Sequence, residues 1–177
     1  GMPQALDEVL ARHGVRWLKI KIGGGHDADV ERLCAIGKLL DDLALDTVKV
    51  TLDGNEQFAT FADLREVWLA AGSDRHGRSL LQRVQWVEQP LPRAAVDTDG
   101  GSTRAHWTMT PLVLDEGDVQ LRSWPLSGYD GVSVKNCKGV SRAFANRAML
   151  ADPKFGVGRF QTSEDLTNLP VLALQQD

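Results

Sequence analysis

The chain has 177 residues, of which 42% are hydrophobic and 25% are charged, a balance typical of a globular domain with one sizeable core. Its net charge of −4 comes from acidic and basic residues mixed along the sequence, which argues against a nucleic-acid surface or a polybasic membrane patch. Neither a membrane-spanning apolar run nor a signal-peptide pattern is present, so we expect a cytoplasmic protein that acts on a small molecule. The two cysteines lack C-x-x-C spacing and indicate neither a zinc site nor a disulfide framework.

Helical and strand patterns alternate through the first half of the sequence. Leu6, Val9 and Leu10 repeat at helical spacing, and residues 17–22 alternate as a strand does before three glycines. The predicted elements are a helix at 3–13, a strand at 17–22, a helix at about 27–43, a strand at 48–52, a helix at about 61–71 and a strand at 84–87.

The same alternation continues in the second half. The predicted elements are a strand at 112–114, a short connection containing Pro125, a strand at 131–134, a helix at 141–150, a strand at 156–160 and a final helix at 166–175. Residues 72–78 and 97–104 are rich in Gly, Ser and Asp and are predicted to be surface loops. The sequence therefore predicts six strands.

Serial strand and helix units specify a parallel α/β sheet, because tight turns cannot join parallel neighbours. Doubly wound sheets and barrels both satisfy this order. Charged residues recur at the carboxyl end of strand after strand, and that pattern is typical of the catalytic rim of a (β/α) barrel. No G-x-G-x-x-G motif opens a helix, which argues against a dinucleotide site.

The predicted rim combines carboxylates with lysines. Its residues are Lys19, Lys21, Asp53, Asn55, Glu88, Asp115, Glu116, Lys135 and Lys138. Carboxylates gathered at one rim repel each other unless a cation separates them, and oxygen ligands suit Mg²⁺ or Mn²⁺. Crowded cationic groups lower the pKa of a lysine toward that of a working base, so the set suits abstraction of a proton from carbon.

Five motifs carry a more specific resemblance, and they are LKIKIGG, TLDGNEQF, VEQP, LDEG and GVSVKN. In order and spacing the chain resembles the mandelate racemase and muconate lactonizing enzyme family of the enolase superfamily. The resemblance implies a TIM-type barrel in which Asp53, Glu88 and Asp115 bind Mg²⁺ or Mn²⁺. It also implies that Lys19 and Lys21 lie on one side of the substrate and Lys135 on the other.

The resemblance further implies a reaction, which is removal of the proton α to a substrate carboxylate by Lys21 or Lys135. The metal and Lys19 would stabilise the resulting enediolate, and Glu164 resembles a glutamate that follows a late strand. The outcome could be racemisation or epimerisation, cycloisomerisation, or acid-sugar dehydration. No histidine follows His106, so the branch that uses a histidine and aspartate pair is rejected in favour of the muconate lactonizing and dipeptide epimerase branch.

Set against the family, residues 1–177 are expected to form one incomplete barrel domain, without the first and last strands and without the capping domain. Open strand edges favour pairing with another chain, so a homo-oligomer is expected. The alternative to an enzyme is a catalytically inactive truncated barrel that serves as a structural or interaction module.

Overall fold

The computed structural model describes residues 5–95, 107–119, 128–155 and 158–164. The chain divides into two compact units, Gly1–Pro92 and Arg93–Asp177. Among the described helices, none combines the length and the apolar character needed to cross a membrane.

The first unit contains three parallel strands in the order β1-β2-β3. Its elements are α1 (Leu6–His13), β1 (Trp17–Lys21), α2 (His26–Asp42), β2 (Lys49–Asp53), α3 (Phe61–Ser73), α4 (Arg75–Leu81) and β3 (Val84–Glu88). Six of these seven elements, all except α4, were predicted from the sequence, and their ends shift by no more than one residue except at the start of α1 and the end of α3. The parallel register pairs Lys21 with Asp53 and Asp53 with Glu88, so the strands end side by side.

Alternation along β2 separates the core from the charged face of the sheet. Val50 and Leu52 are buried on one face, while Thr51 and Asp53 point to the other. The register places the lysines of β1 on the same face as Asp53. The strand pattern therefore directs the predicted site residues of the first unit to one surface.

The glycine loop after β1 is closed by a residue of the following helix. The carboxylate of Asp29 is fully buried and accepts hydrogen bonds from the backbone amides of Gly23 at 2.7 Å and Gly24 at 3.3 Å. This contact fixes the loop at the carboxyl end of β1, directly after Lys21.

The prediction that residues 72–78 form a surface loop is wrong, because α4 begins within them. Asp74 caps the helix by accepting hydrogen bonds from the backbone amides of His76 at 2.8 Å and Gly77 at 3.0 Å. A Cβ at Gly77 would lie 2.2 Å from the carbonyl oxygen of Ala71, and one at Gly37 would lie 2.1 Å from that of His76. Gly77, which suggested a loop, instead allows three helices to pack closely together with Gly37 of α2.

The described part of the second unit also contains three parallel strands, in the order β4-β5-β6. Its described elements are β4 (Leu112–Leu114), a 3-10 helix (Glu116–Val119), β5 (Gly131–Lys135), a 3-10 turn (Asn136–Lys138), α5 (Val140–Ala151) and β6 (Phe160–Glu164). A further 3-10 turn, Arg93–Ala95, precedes them, and another, Pro153–Phe155, follows α5. The predicted loop at 97–104, the connection at Pro125 and the helix at 166–175 lie outside the described residues.

The predicted strand at 156–160 is wrong in position, because β6 begins at Phe160. Its residues pair with β5 from Gly131 opposite Phe160 to Lys135 opposite Glu164. Glu164 is therefore the last residue of a strand rather than a residue that follows one.

The described residues contain six strands, parallel within each unit and alternating with helices, which confirm the predicted α/β class and the incomplete TIM-type barrel. The charged strand ends predicted from the sequence are real features of both units, and they define the candidate site.

Candidate functional site

The first unit gathers two carboxylates and two lysines at the ends of its strands. Asp53 and Glu88 are the last residues of β2 and β3, and both are buried, with 1% and 4% of their surface exposed. The Nζ atom of Lys19 lies 2.9 Å from Oδ2 of Asp53 and 3.1 Å from Oε1 of Glu88. The Nζ atom of Lys21 lies 2.5 Å from the same Asp53 oxygen. These four residues are called the first-unit cluster below.

The electrostatics of Asp53 are set by two opposing effects. Burial disfavours its charged form, but the hydrogen bonds from Lys21 and Lys19 outweigh burial and hold the pKa of the Asp53 carboxyl below its usual range. The backbone amide of Asn55 donates a further hydrogen bond of 3.0 Å to Oδ1. Asn55, predicted as a supporting residue, thus acts on Asp53 through its main chain.

The chain turns sharply after both strands, and the two turns interlock. Asn55 and Gln89 adopt left-handed backbone angles, with φ of 41° and 33°. The amide of Gly54 donates to the carbonyl oxygen of Glu88 at 2.9 Å, and a Cβ at Gly54 would lie 2.7 Å from Cα of Pro90. This close approach fixes the ends of β2 and β3 relative to each other, and with them the two carboxylates.

The second unit gathers a similar set of residues. Asp115 follows β4 directly and is 1% exposed. Lys135, the last residue of β5, binds Oδ2 of Asp115 and lies 2.7 Å from Oε2 of Glu164. The Nζ atom of Lys138 lies 2.9 Å from Oδ1 of Asp115. These four residues are called the second-unit cluster.

The surroundings of Lys135 differ from the expectation for a lysine base. Burial lowers its pKa, but the hydrogen bonds to Asp115 and Glu164 have the larger combined effect and raise the pKa of Lys135 above its ordinary value. The carboxylates of Asp115 and Glu164 thus stabilise the ammonium form of Lys135, and the lowering of its pKa beside a bound metal stays a prediction.

One charged residue of this region was missed by the sequence analysis. Asp118 lies on the 3-10 helix that Glu116 begins, and it is 1% exposed. Its Oδ1 lies 3.3 Å from Nζ of Lys138, and its Oδ2 accepts a hydrogen bond of 3.1 Å from Asn146. The LDEG motif ends one residue before Asp118, and the partner on α5 is 28 residues away in sequence, so no local pattern indicated the contact.

The structure brings the predicted residues together in two groups, each within its own unit. Asp53 and Glu88 in the first unit, and Asp115 and Glu164 in the second, offer carboxylate oxygens, the ligands that Mg²⁺ and Mn²⁺ prefer. Lysine ammonium groups bind these oxygens, so a divalent cation would take over contacts that already stabilise positive charge. The donor chemistry fits a hard divalent metal.

Comparison with known proteins adds similarity of fold. No family model and no curated protein matches the sequence. A dipeptide epimerase from Enterococcus faecalis, solved with Mg and the dipeptide L-Leu-L-Tyr, matches with a TM-score of 0.67 and 21% identity over 89% of this chain and 41% of that one. The fold is shared with this enzyme. The resemblance predicted from the sequence motifs is thus confirmed as similarity of fold.

Two further solved structures share the fold of this chain. A racemase from Streptomyces coelicolor with bound magnesium matches with a TM-score of 0.65 and 18% identity over 90% of this chain and 41% of that one. A muconate cycloisomerase variant matches with a TM-score of 0.61 and 20% identity over 88% of this chain and 40% of that one. The chain thus spans about 40% of the length of the enzymes that it resembles.

Proposed function

We propose that the chain carries the residues of a metal-dependent enzyme that abstracts the proton α to a carboxylate. The observation that supports this most directly is the pairing within each cluster. Carboxylates with the chemistry of metal ligands lie in hydrogen-bond contact with lysines that could hold or move a proton. Asp53, Glu88 and Asp115 would bind Mg²⁺ or Mn²⁺, and the bound metal would stabilise negative charge developing on the substrate carboxylate.

The lysines have separate roles in this proposal. Lys21 has 56% of its side chain exposed, so its ammonium can lose a proton to water, and the neutral amine can then accept the α proton of a bound substrate. Lys19 contacts both carboxylates of its cluster, which suits a fixed positive charge better than a mobile base. Lys135 would serve as the second acid or base once a substrate or metal takes over its contacts with Asp115 and Glu164.

The reaction class follows from the kinds of enzyme that share the fold. These are a racemase, an epimerase and a cycloisomerase, which are consistent with proton transfer at carbon. We propose an acid with an exchangeable α proton as substrate, and the dipeptide bound in the epimerase structure is a reasonable first probe.

The test is incorporation of deuterium from D₂O at the α carbon of L-Leu-L-Tyr and related dipeptides, with and without Mg²⁺. Exchange that requires Mg²⁺ is expected for the unmodified chain. Lys21→Met and Lys135→Met are expected to lose exchange while retaining metal affinity, since a base is not a ligand. Lys38→Met is the matched control, because Lys38 forms an exposed pair with Asp42 on α2. Equal loss of exchange in all three variants would contradict these roles.

A second candidate function is a structural or interaction module without catalysis. The lysine pairing also supports it, because ammonium groups alone can compensate the buried carboxylates and hold the strand ends together. The two candidates differ in one measurement. The enzyme exchanges the α proton of an acid in the presence of Mg²⁺, whereas the module keeps its fold and some metal affinity but exchanges no proton.

Self-association through strand edges is a further proposal. Among the described strands, β1 pairs with β2 alone, and Trp17 at its start is 49% exposed. Light scattering over a range of protein concentrations measures the assembly. Trp17→Lys is expected to shift it toward monomer, because a charge on an edge strand opposes pairing with another chain.

A further inference from the structure

The Lys138 ammonium has three hydrogens to donate, but four oxygen atoms lie within 3.3 Å of its Nζ atom. Its Nζ atom lies 2.8 Å from the carbonyl oxygen of Asp115, 2.9 Å from that of Ser133 and 2.9 Å from Oδ1 of Asp115. Oδ1 of Asp118 is the fourth, at 3.3 Å. Two of these four oxygens belong to carboxylates, and the other two are backbone carbonyl oxygens.

Asp118 is itself held from the opposite side. Asn146 of α5 donates to its Oδ2 at 3.1 Å, and Arg142 of the same helix donates to its carbonyl oxygen at 2.5 Å. Asp118 and Asn146 are each only 1% exposed. Hydrogen bonds to a buried carboxylate are strong and directional, so the position of Asp118 is well defined.

The pairing divides the two oxygens of Asp115 between two lysines. Lys138 contacts Oδ1, and Lys135 binds Oδ2. Rotation of the Asp115 carboxylate would break both contacts, so whatever fixes Lys138 also fixes the direction in which Oδ2 points.

We propose that Asp118 is a positioning residue, which with Asn146 clamps the ammonium of Lys138 onto Oδ1 of Asp115 and thereby orients Oδ2 of Asp115 toward Lys135. The proposal rests on the proposed function for the importance of Asp115 as a metal ligand. The clamp itself is a property of the second unit and can be measured without metal or substrate.

The experiment is reductive methylation of lysines in the full chain, followed by mass spectrometry that resolves Lys138 from Lys19. Asp118→Asn keeps the size of the side chain and removes its charge. The methylation rate of Lys138 relative to Lys19 is expected to rise about tenfold in this variant, because the ion pair between the buried Asp118 carboxylate and the Lys138 ammonium is lost. Lys19 is the reference because its side chain is 30% exposed and it lies in the first unit, where its described ion pairs are with Asp53 and Glu88.

Two further variants complete the design. Asn146→Ala frees the Asp118 carboxylate from α5 and is expected to raise the same ratio by a smaller factor. Asp152→Asn is the control, because it makes the same change of side chain at an aspartate that pairs with the exposed Lys154; the ratio is expected to change by less than about twofold. An unchanged ratio in Asp118→Asn, or in Asn146→Ala if the first variant does not fold, would overturn the proposal.

Calorimetric titration of Mg²⁺ separates this proposal from the proposed function. If the unmodified chain binds Mg²⁺, Asp118→Asn is expected to weaken the affinity about tenfold, as loss of a supporting contact to a metal ligand commonly does. Equal affinities would overturn the claim that the clamp orients Asp115 for a metal. If the unmodified chain binds no Mg²⁺, the proposed function fails, and the methylation ratio still decides whether the clamp exists.

Discussion

Asp53 and Glu88 face each other as the last residues of neighbouring parallel strands, and a single ammonium, that of Lys19, contacts both carboxylates. Two buried carboxylates at adjacent positions repel each other, and burial adds the cost of removing each from water. The ammonium of Lys19 offsets both costs. Lys19 therefore contributes to the stability of the first unit through both carboxylates, and Lys21 adds a second contact to Asp53.

Lys19→Met is expected to destabilise the fold by about 2 kcal/mol, less than the full cost of breaking a buried ion pair because 30% of the lysine side chain is exposed. Urea unfolding measures the change. Mg²⁺ is expected to restore part of the lost stability if it binds the two carboxylates. Lys38→Met removes an exposed pair and is expected to change stability by less than about 0.5 kcal/mol. Equal losses in the two variants would show that Lys19 has no special role.

The proposed metal ligands can be tested without a substrate. Asp53→Asn, Glu88→Gln and Asp115→Asn each remove one charged oxygen ligand and are expected to weaken Mg²⁺ affinity by at least about tenfold in calorimetric titration. Asp46→Asn is the control, because the Asp46 side chain is 87% exposed. A variant that keeps the affinity of the unmodified chain would remove that residue from the ligand set.

Two glycines are expected to respond to alanine with opposite signs. A Cβ at Gly54 would lie 2.7 Å from Cα of Pro90, so Gly54→Ala must move the turns after β2 and β3, at a cost of about 1–3 kcal/mol. Gly72 lies in α3, where an added Cβ would meet only Cδ1 of Leu81 at 3.6 Å, an ordinary contact. Gly72→Ala is expected to stabilise the helix by about 0.5–1 kcal/mol. Thermal and urea unfolding of both variants check the signs.

The lowered pKa of the Asp41 carboxyl predicts that the stability of the fold depends on pH. Hydrogen bonds from Ser79 and His76, with the nearby charge of Arg83, hold the pKa of the Asp41 carboxyl below its usual range. The unfolded chain therefore binds a proton more readily, so this stabilisation is fully present above about pH 4 and is lost as the pH falls through the folded pKa.

Asp41→Asn is expected to reduce the loss of stability between neutral and acidic pH by up to about 1 kcal/mol, since the amide has no charge to lose. Urea unfolding at pH 6 and at pH 3 gives the difference for each variant. Asp42→Asn, one residue along α2, is expected to leave the difference unchanged because Asp42 is exposed and contacts Lys38 alone among the described ion pairs. Indistinguishable differences in the two variants would contradict the assignment.

The sequence could predict the strands that carry the site because their patterns are local. The alternation of β1, the aspartate at the end of β2 and the one directly after β4 identify both the strands and the side of the sheet that bears the charges. Parallel pairing then brings strand ends together, so the contacts of Lys19 and Lys21 with Asp53 follow from pattern and topology.

The errors arose where a residue acts through a distant partner. Gly77 suggested a loop, yet its role is close packing against Ala71, which only the folded helices reveal. The position of β6 is set by its pairing with β5, and the polar residues from Phe160 to Glu164 give little signal of a strand by themselves. The raised pKa of Lys135 likewise depends on carboxylates 20 and 29 residues away in the chain.

The contact of Asp29 with the glycine loop has a consequence for what this part of the chain can bind. Backbone amides ahead of a helix form a natural receptor for phosphate groups in nucleotide-binding proteins. In this chain the helix supplies its own anion, tethered four residues into α2, and both Gly23 and Gly24 donate to it. The Asp29 carboxylate therefore occupies these two amides, and a free phosphate would have to displace a carboxylate that is covalently part of the same chain.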